Sequence, residues 1–151
     1  MYEALQGTAL KYPHHVALDY YGTSISFARL VAEIHHGAAM LCNQGITSGD
    51  RVIICLPNIP QAVISFYALN AMGAVPCMVH PLSTAPELVE YIEETQSKFL
   101  ITLDLLYPTF TDILVNTGIE KTIIARVNEY LPRFLSALYF LKQGYKCPAI
   151  Q

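Results

Sequence analysis

The sequence predicts an α/β protein with a three-layer, mostly parallel sheet and helices on both faces. Four short apolar runs rich in β-branched residues alternate with segments whose apolar residues recur at helical spacing. Strands separated by helices pair in parallel through right-handed crossovers. The runs are apolar at consecutive positions, which is expected when helices cover both faces of a sheet. These predicted strands span residues 51–56, 74–79, 98–103 and 121–127.

The helix that follows Ser26 has the clearest pattern in the chain. Ser26 can cap its amino end, and Gly45 suits the left-handed position after its carboxyl end. Helical spacing places a set of apolar residues on one stripe, which is predicted to face the core. The stripe consists of Phe27, Leu30, Val31, Ile34, Ala38, Leu41 and Cys42.

The elements before this helix are bounded by turn residues. A helix is predicted over residues 5–12 and ends before Pro13, which cannot continue it. Two β-type runs then flank Gly22 and Thr23, which is the pattern of a short antiparallel hairpin.

Capping residues place the later helices. Asn58 is predicted to cap a helix over residues 60–72, whose polar residues share no face and which is therefore covered on most sides. Thr84 and Glu87 form a capping-box signature at the start of a helix that runs to about Ser97. The poorly patterned segment before the last strand is also predicted to be helical.

The composition fits one domain with a sizeable core. The chain has 151 residues, of which 53% are apolar and 14% are charged. Nine basic and twelve acidic side chains give a net charge of -3 without a Lys/Arg cluster, which argues against nucleic acid as a partner. The four cysteines are widely spaced and lack a C-x-x-C pair, so they are predicted to be reduced thiols in a cytoplasmic protein.

A long uncharged stretch over residues 62–79 approaches the length of a membrane span. Asn70, Gly73 and Pro76 interrupt this stretch, and its apolar period changes from helical to extended near Gly73. We therefore predict a buried helix followed by a buried strand, and no transmembrane segment.

The sequence contains no motif for a metal or phosphate site. Cys77 and His80 are three residues apart, so an extended chain sends them to opposite faces. Residues 45–50 superficially resemble a phosphate loop, but they lack its lysine and precede a strand, which predicts a helix-to-strand turn. We assign no catalytic, cofactor-binding or metal-ligating residue from these patterns. One solvated helix face accounts for the glutamates Glu87, Glu90, Glu93 and Glu94.

Two polar residues directly follow predicted strands and are the candidates for contact with a ligand. His80 comes after the run 74–79, and Asp104 comes after the run 98–103. The carboxyl ends of parallel strands form the edge at which open α/β sheets bind ligands. The alternative is that each side chain only caps or fixes the loop at its strand end.

The order of motifs between residues 49 and 104 resembles the amino-terminal part of the adenylate-forming superfamily, particularly acyl-CoA synthetases. In that family a GD-R-V strand start, an LPN turn, a GA-V-P strand entry and an NPL-T-EL loop recur in this order. They correspond here to residues 49–52, 56–58, 73–76 and 80–88. Residues 25–30 (ISFARL) are similar to the family's LTY-EL segment, and residues 128–143 are similar to a segment of some fatty-acyl members. His80 stands where the family often has Asn.

This resemblance implies that residues 1–151 form a single, incomplete amino-terminal subdomain of an AMP-forming acyl-CoA synthetase. The family joins a carboxylic acid to ATP as an acyl-adenylate and then passes the acyl group to CoA, so ATP, Mg and CoA are implied for the complete enzyme. Its phosphate loop, magnesium-binding glutamate and catalytic lysine lie further along the family's chain. The implied role is therefore a scaffold, inactive alone, in a cytoplasmic acid–thiol ligase that acts on a fatty acid and contacts membranes peripherally.

The alternative is a stand-alone binding or interaction module that self-associates as a homo-oligomer through exposed apolar surface. The feature that raises this alternative is an apolar stripe near the carboxyl end, which could drive dimerisation of this chain. In the complete enzyme the same stripe would be buried or would contact a membrane. The stripe consists of Leu131, Phe134, Leu135, Leu138 and Leu141.

Overall fold

The computed structural model describes residues 1–132, which open with a helix and a hairpin. Helix α1 spans Tyr2–Lys11, and strands β1 (Val16–Tyr20) and β2 (Thr23–Ser26) pair antiparallel. The turn residues Tyr21 and Gly22 have φ values of 50° and 81°, as a type I′ hairpin turn requires. The predicted helix and hairpin are confirmed, although the helix begins three residues earlier than predicted.

Helix α2 spans Phe27–Asn43 and confirms both predicted end signals. The Ser26 hydroxyl accepts a hydrogen bond from the Arg29 N–H at 3.3 Å, and Gly45 has a left-handed φ of 95°. Most of the predicted stripe is buried or half-buried, but Cys42 is exposed. Cys42 follows the buried Leu41, and one further residue turns a helix by about 100°, so this side chain points away from the core.

Four strands form one parallel sheet, as predicted. In chain order they are β3 (Arg51–Cys55), β4 (Val75–Met78), β5 (Phe99–Leu103) and β6 (Lys121–Ala125). The order across the sheet is β4-β3-β5-β6, and every neighbouring pair is parallel. The chain therefore leaves β3 toward one side, returns across it to β5, and continues to β6.

A helix connects each strand of this sheet to the next one along the chain, and a short 3₁₀ turn follows β6. These elements are α3 (Pro60–Met72), α4 (Ala85–Thr95), α5 (Tyr107–Leu114) and the 3₁₀ turn Val127–Glu129. The residue before α3 is Ile59, which offers no capping side chain, so the prediction that Asn58 caps this helix is wrong. Among residues 1–132 no helix is both long and apolar enough to cross a membrane.

The two faces of the sheet carry separate cores, which confirms the three-layer prediction. Val52 and Ile54 of β3 belong to the core formed with α2 and α3, whereas Ile53 and Cys55 belong to the core formed with α4 and α5. All four side chains are fully buried. Burying an isoleucine or valine side chain contributes about 1.5–3 kcal/mol to the stability of the fold. Because successive side chains of β3 point to opposite faces of the sheet, this one strand stabilises the packing of both helical layers.

Strand β4 lies at the edge of the sheet, and its predicted full burial is wrong. Val75 is 47% exposed and Met78 is 53% exposed, because among residues 1–132 β4 has a neighbouring strand on one side only. Pro76 lies within this strand and lacks the N–H that a central strand would need for its ladder. In the predicted run 74–79, the flanking residues Ala74 and Val79 are buried, and the strand between them is exposed or half-buried.

Residues 45–50 form the predicted helix-to-strand turn between α2 and β3. The backbone N–H and the hydroxyl of Thr47 donate to the Asp50 carboxylate at 2.7 and 2.9 Å. The Gly49 N–H donates to the Gly73 carbonyl at 2.9 Å, which ties this turn to the end of α3. These three bonds use donors of the turn within the protein.

We expect Gly73→Ala to lower the free energy of unfolding and Gly7→Ala to raise it. Gly73 ends α3 with φ 77°, and an added Cβ would lie 2.6 Å from the Ser48 Oγ. The left-handed conformation alone costs a non-glycine residue about 1–2 kcal/mol. At Gly7, within α1, a Cβ meets no atom within 4 Å, so alanine should stabilise by about 0.5–1 kcal/mol. Denaturant unfolding measures both changes, and effects of the same sign would contradict this account.

Candidate functional site

The carboxyl edge of the parallel sheet is the candidate site. Strand order reverses between β3 and β5, since the chain moves from β3 to β4 on one side and then to β5 on the other. In open α/β sheets the loops diverge at such a switch point and leave a crevice that binds ligands. The residues that leave the strands here are Leu56 after β3, Val79 and His80 after β4, and Asp104 after β5.

Asp104 is half-buried and takes part in the turn from β5 into α5. Its backbone N–H donates to the Ala125 carbonyl at 3.0 Å, and its carboxylate accepts from the Leu105 N–H at 2.9 Å. These bonds fix the direction in which the chain leaves the sheet. They match the predicted loop-fixing role, while contact with a ligand stays a prediction.

His80 is exposed and organises the turn that leaves β4. Its Nδ1 accepts a hydrogen bond from the Leu82 N–H at 3.2 Å, so the proton of the neutral ring is carried on Nε2. Its carbonyl accepts from the Ser83 N–H at 3.0 Å and from the Cys55 thiol at 3.8 Å. The ring and the carbonyl both hold the loop, and contact of His80 with a ligand also stays a prediction.

The two candidates share an edge but do not form a pair. His80 follows β4 and Asp104 follows β5, and β3 lies between these strands. Two strand spacings separate their backbones by about 10 Å. Within residues 1–132 no group of three or more His, Cys, Asp or Glu side chains could hold a metal ion. In the described part of this edge, His80 and Asp104 are therefore separate polar groups rather than members of one cluster.

Cys55 ends β3 at this edge and is a structural thiol. It is fully buried, and burial raises the pKa of the thiol to about 11, with a hydrogen bond to Thr102 as a smaller opposing effect. A thiol with this pKa remains protonated near neutral pH and is a poor nucleophile. Cys42, Cys55 and Cys77 are all free, as predicted, and Cys147 lies outside the described residues.

The loop after His80 ends in the predicted capping box. Glu87 accepts hydrogen bonds from the backbone N–H and the hydroxyl of Thr84 at 2.7 and 3.0 Å. These two bonds lower the pKa of the Glu87 carboxyl, the backbone bond most strongly. All four glutamates of α4 are exposed, which confirms the predicted solvated face.

An apolar cavity of about 500 Å³ lies beside the edge, between the hairpin and α3. Its volume is within the range of small-molecule pockets. Leu18 and Tyr20 of β1, Phe66 and Tyr67 of α3, and Met78 at the end of β4 contribute to its walls. This cavity was not predicted from the sequence, because its residues come from three separate segments and each segment has only an ordinary core pattern. Its apolar lining suits a hydrophobic group rather than a phosphate.

Comparison with known families identifies the chain. The model of the AMP-binding enzyme family matches residues 5–136. This match covers most of the chain and includes the elements from α1 through β6. The chain belongs to the AMP-binding enzyme family, which confirms the resemblance found in the sequence.

Two curated relatives with assigned names are similar to the chain. It is 34% identical over 142 residues to a long-chain-fatty-acid–CoA ligase of Bacillus subtilis, covering 94% of this chain and 25% of the relative. It is 34% identical over 102 residues to an acetyl-coenzyme A synthetase of Emericella nidulans, covering 64% of this chain and 15% of the relative. The chain thus spans a quarter or less of the length of these relatives.

A solved structure supports the fold. The crystal structure of a long-chain-fatty-acid-CoA ligase from Archaeoglobus fulgidus superposes with a TM-score of 0.76 at 22% identity. The superposition covers 82% of this chain and 27% of the other. It confirms the predicted α/β architecture.

We expect the Glu87 capping bonds to make stability depend on pH in acid. The pKa of Glu87 in the folded state lies below its ordinary value of 4.5. Its contribution is therefore fully present above that value and is lost as the pH falls through the folded-state pKa. Denaturant unfolding at a series of pH values should show the stability difference between wild type and Glu87→Gln shrinking on that acid side.

Glu90→Gln is the matched control, since it removes one exposed carboxylate from the same helix without touching the cap. The same pH dependence for both variants would show that the capping bonds do not cause the effect.

Proposed function

We propose that this chain forms part of an AMP-forming acyl-CoA synthetase that activates a fatty acid. Such an enzyme joins the acid to ATP as an acyl-adenylate, releases pyrophosphate, and passes the acyl group to CoA. Membership of the AMP-binding enzyme family is the observation that carries this proposal. The match to the B. subtilis ligase, which covers 94% of the chain, supports a fatty acid as substrate more than the 64% match to the acetyl-coenzyme A synthetase.

The role that we propose for these residues is to form a scaffold. The sequence has no Ser/Thr/Gly-rich loop ending in lysine that could hold ATP phosphates. At the carboxyl edge, the side chains of His80, Glu87 and Asp104 accept bonds from nearby backbone N–H groups. Groups that bind ATP, Mg and CoA would then come from other parts of the enzyme, with His80 and Asp104 facing the ligands. We further propose a cytoplasmic location with peripheral contact to membranes.

A chimera tests this proposal. The part of the B. subtilis ligase that matches this chain is replaced by the chain itself, and pyrophosphate release is followed with ATP, Mg and fatty acids of several lengths. We expect the chimera to release pyrophosphate and to form the CoA thioester, while the chain alone does neither. Pyrophosphate release by the chain alone would contradict the scaffold role. A folded chimera that is inert to every acid would contradict the synthetase assignment.

Variants of the chimera separate ligand contact from loop fixing at Asp104. Asp104→Asn retains an oxygen that can accept from the Leu105 N–H but loses the charge, whereas Asp104→Ala loses both. Equal losses of kcat/KM in the two variants would support contact of the charge with a ligand, and rescue by Asn would support loop fixing. Asp112→Ala, an exposed aspartate on α5, is the matched control.

The second candidate function is a self-associating module, and the exposed edge strand β4 favours it. Unpaired edge strands can add a strand from another chain, and lysine on such an edge blocks the pairing. If β4 mediates association, sedimentation should show a concentration-dependent oligomer that Val75→Lys converts to a monomer. Leu10→Lys on the exposed side of α1 is the control and should leave the oligomer intact. A monomeric wild-type chain would exclude this function.

A further inference from the structure

Gln61 is a buried polar residue in the first turn of α3, close to the carboxyl edge of the sheet. Its side chain is 8% exposed, and the flanking residues Pro60 and Ala62 are also buried. Helix α3 connects β3 to β4, so Gln61 belongs to the β3–β4 side of the switch point. A polar side chain that is buried in this way needs hydrogen-bond partners.

The partners of Gln61 lie on the other side of the switch point, directly after β6. Its side-chain nitrogen donates to the Arg126 carbonyl at 2.8 Å and to the Glu129 carboxylate at 3.2 Å, which uses both N–H groups of the amide. The Glu129 backbone N–H also donates to the Arg126 carbonyl, but over a longer distance of 3.4 Å. Gln61 therefore ties the start of α3 to the end of β6.

The residue before Arg126 holds the loop that carries Asp104. The Ala125 carbonyl accepts from the Asp104 N–H at 3.0 Å, at the point where the chain leaves β5. Because peptide groups are planar, only the two backbone torsion angles of Arg126 separate this carbonyl from the one that Gln61 binds. Fixing the Arg126 carbonyl therefore also orders the acceptor of the Asp104 N–H.

The opposite side of the edge contains a matched hydrogen bond. The Val79 N–H donates to the Ile54 carbonyl, also at 3.0 Å, where the chain leaves β4. This bond joins β4 to β3, whereas Arg126 follows β6, and β5 lies between β3 and β6. The two bonds should therefore respond differently when Gln61 is replaced.

We propose that Gln61 is a positioning residue for Asp104, on which it acts through the Arg126 and Ala125 carbonyls. This inference rests on the proposed function, in which Asp104 faces a ligand of the complete synthetase. Gln61 restricts the orientations of the Asp104 loop before the ligand arrives. A polar group that is ordered in advance loses less entropy on binding and in the transition state.

Amide hydrogen exchange in the whole chain tests the positioning. Gln61→Met keeps the length of the side chain and removes both donors. We expect the protection factor of the Asp104 N–H to fall about fivefold, which is the size of effect that one hydrogen bond has, while that of the Val79 N–H stays within about twofold. Gln6→Met, which replaces an exposed glutamine of α1, is the matched control and should change neither.

Two results of this measurement would overturn the proposal. Equal losses of protection at Asp104 and Val79 would show that Gln61 only stabilises the fold, and unchanged protection at Asp104 would show that the two residues are not linked. Circular dichroism shows whether Gln61→Met is folded. Gln61→Asn is the second variant, because its side chain is one methylene too short to reach the Arg126 carbonyl and should act like Gln61→Met.

Glu129→Ala separates the two acceptors of the Gln61 amide. This variant removes the carboxylate and leaves the bond to the Arg126 carbonyl. We expect the protection of the Asp104 N–H to remain within about twofold of wild type, since the Arg126 bond carries the effect. A loss as large as that in Gln61→Met would contradict the route through Arg126 and overturn the proposal.

The chimera with the B. subtilis ligase tests the consequence for the reaction. Gln61→Met should lower kcat/KM several-fold, and its combination with Asp104→Ala should be no less active than Asp104→Ala alone, because both changes act on one arrangement. Additive losses would overturn the proposal, and Gln6→Met should leave kcat/KM unchanged. Full activity of Asp104→Ala would instead contradict the ligand contact in the proposed function, while hydrogen exchange would still decide whether Gln61 positions Asp104.

Discussion

Burial of strand β3 on both faces and on both edges is the constraint on which the rest of the structure depends. β3 pairs with β4 on one side and β5 on the other, which satisfies its backbone polar groups within the sheet. Val52 and Ile54 need the cover of α2 and α3, and Ile53 and Cys55 need that of α4 and α5. Neither helical layer can be removed without exposing half of this strand to water.

The same constraint shapes the candidate site. Since the chain leaves β3 to one side and comes back across it, the loops that carry His80 and Asp104 diverge at the carboxyl edge. Both side chains accept bonds from backbone N–H groups one or two residues later, and Glu87 accepts from the Thr84 N–H three residues earlier. An edge whose polar groups hold its own loops provides shape and rigidity. The charges that acyl-adenylate chemistry requires would have to be supplied to this edge by other groups.

Local features were predictable from the sequence, and non-local ones were not. The bounds of α3, the Ser26 cap and the Thr84–Glu87 capping box agree with the sequence because each depends on residues within one helical turn. The burial of β4 was predicted wrongly because the edge position of a strand depends on its neighbours, not on its own residues. The cavity beside the hairpin could not be predicted, since it is lined by segments far apart in the chain.

The sequence by itself determined the kinds and positions of the elements, the parallel α/β class and the family. Periodicity and capping act over about four residues, so they are written in neighbouring positions. Only the tertiary structure decided that β4 lies at the edge, that β3 separates His80 from Asp104, and that β6 remains half-covered. These properties arise from contacts between elements that are distant in sequence, where the order of strands and the reach of each helix determine which surfaces meet.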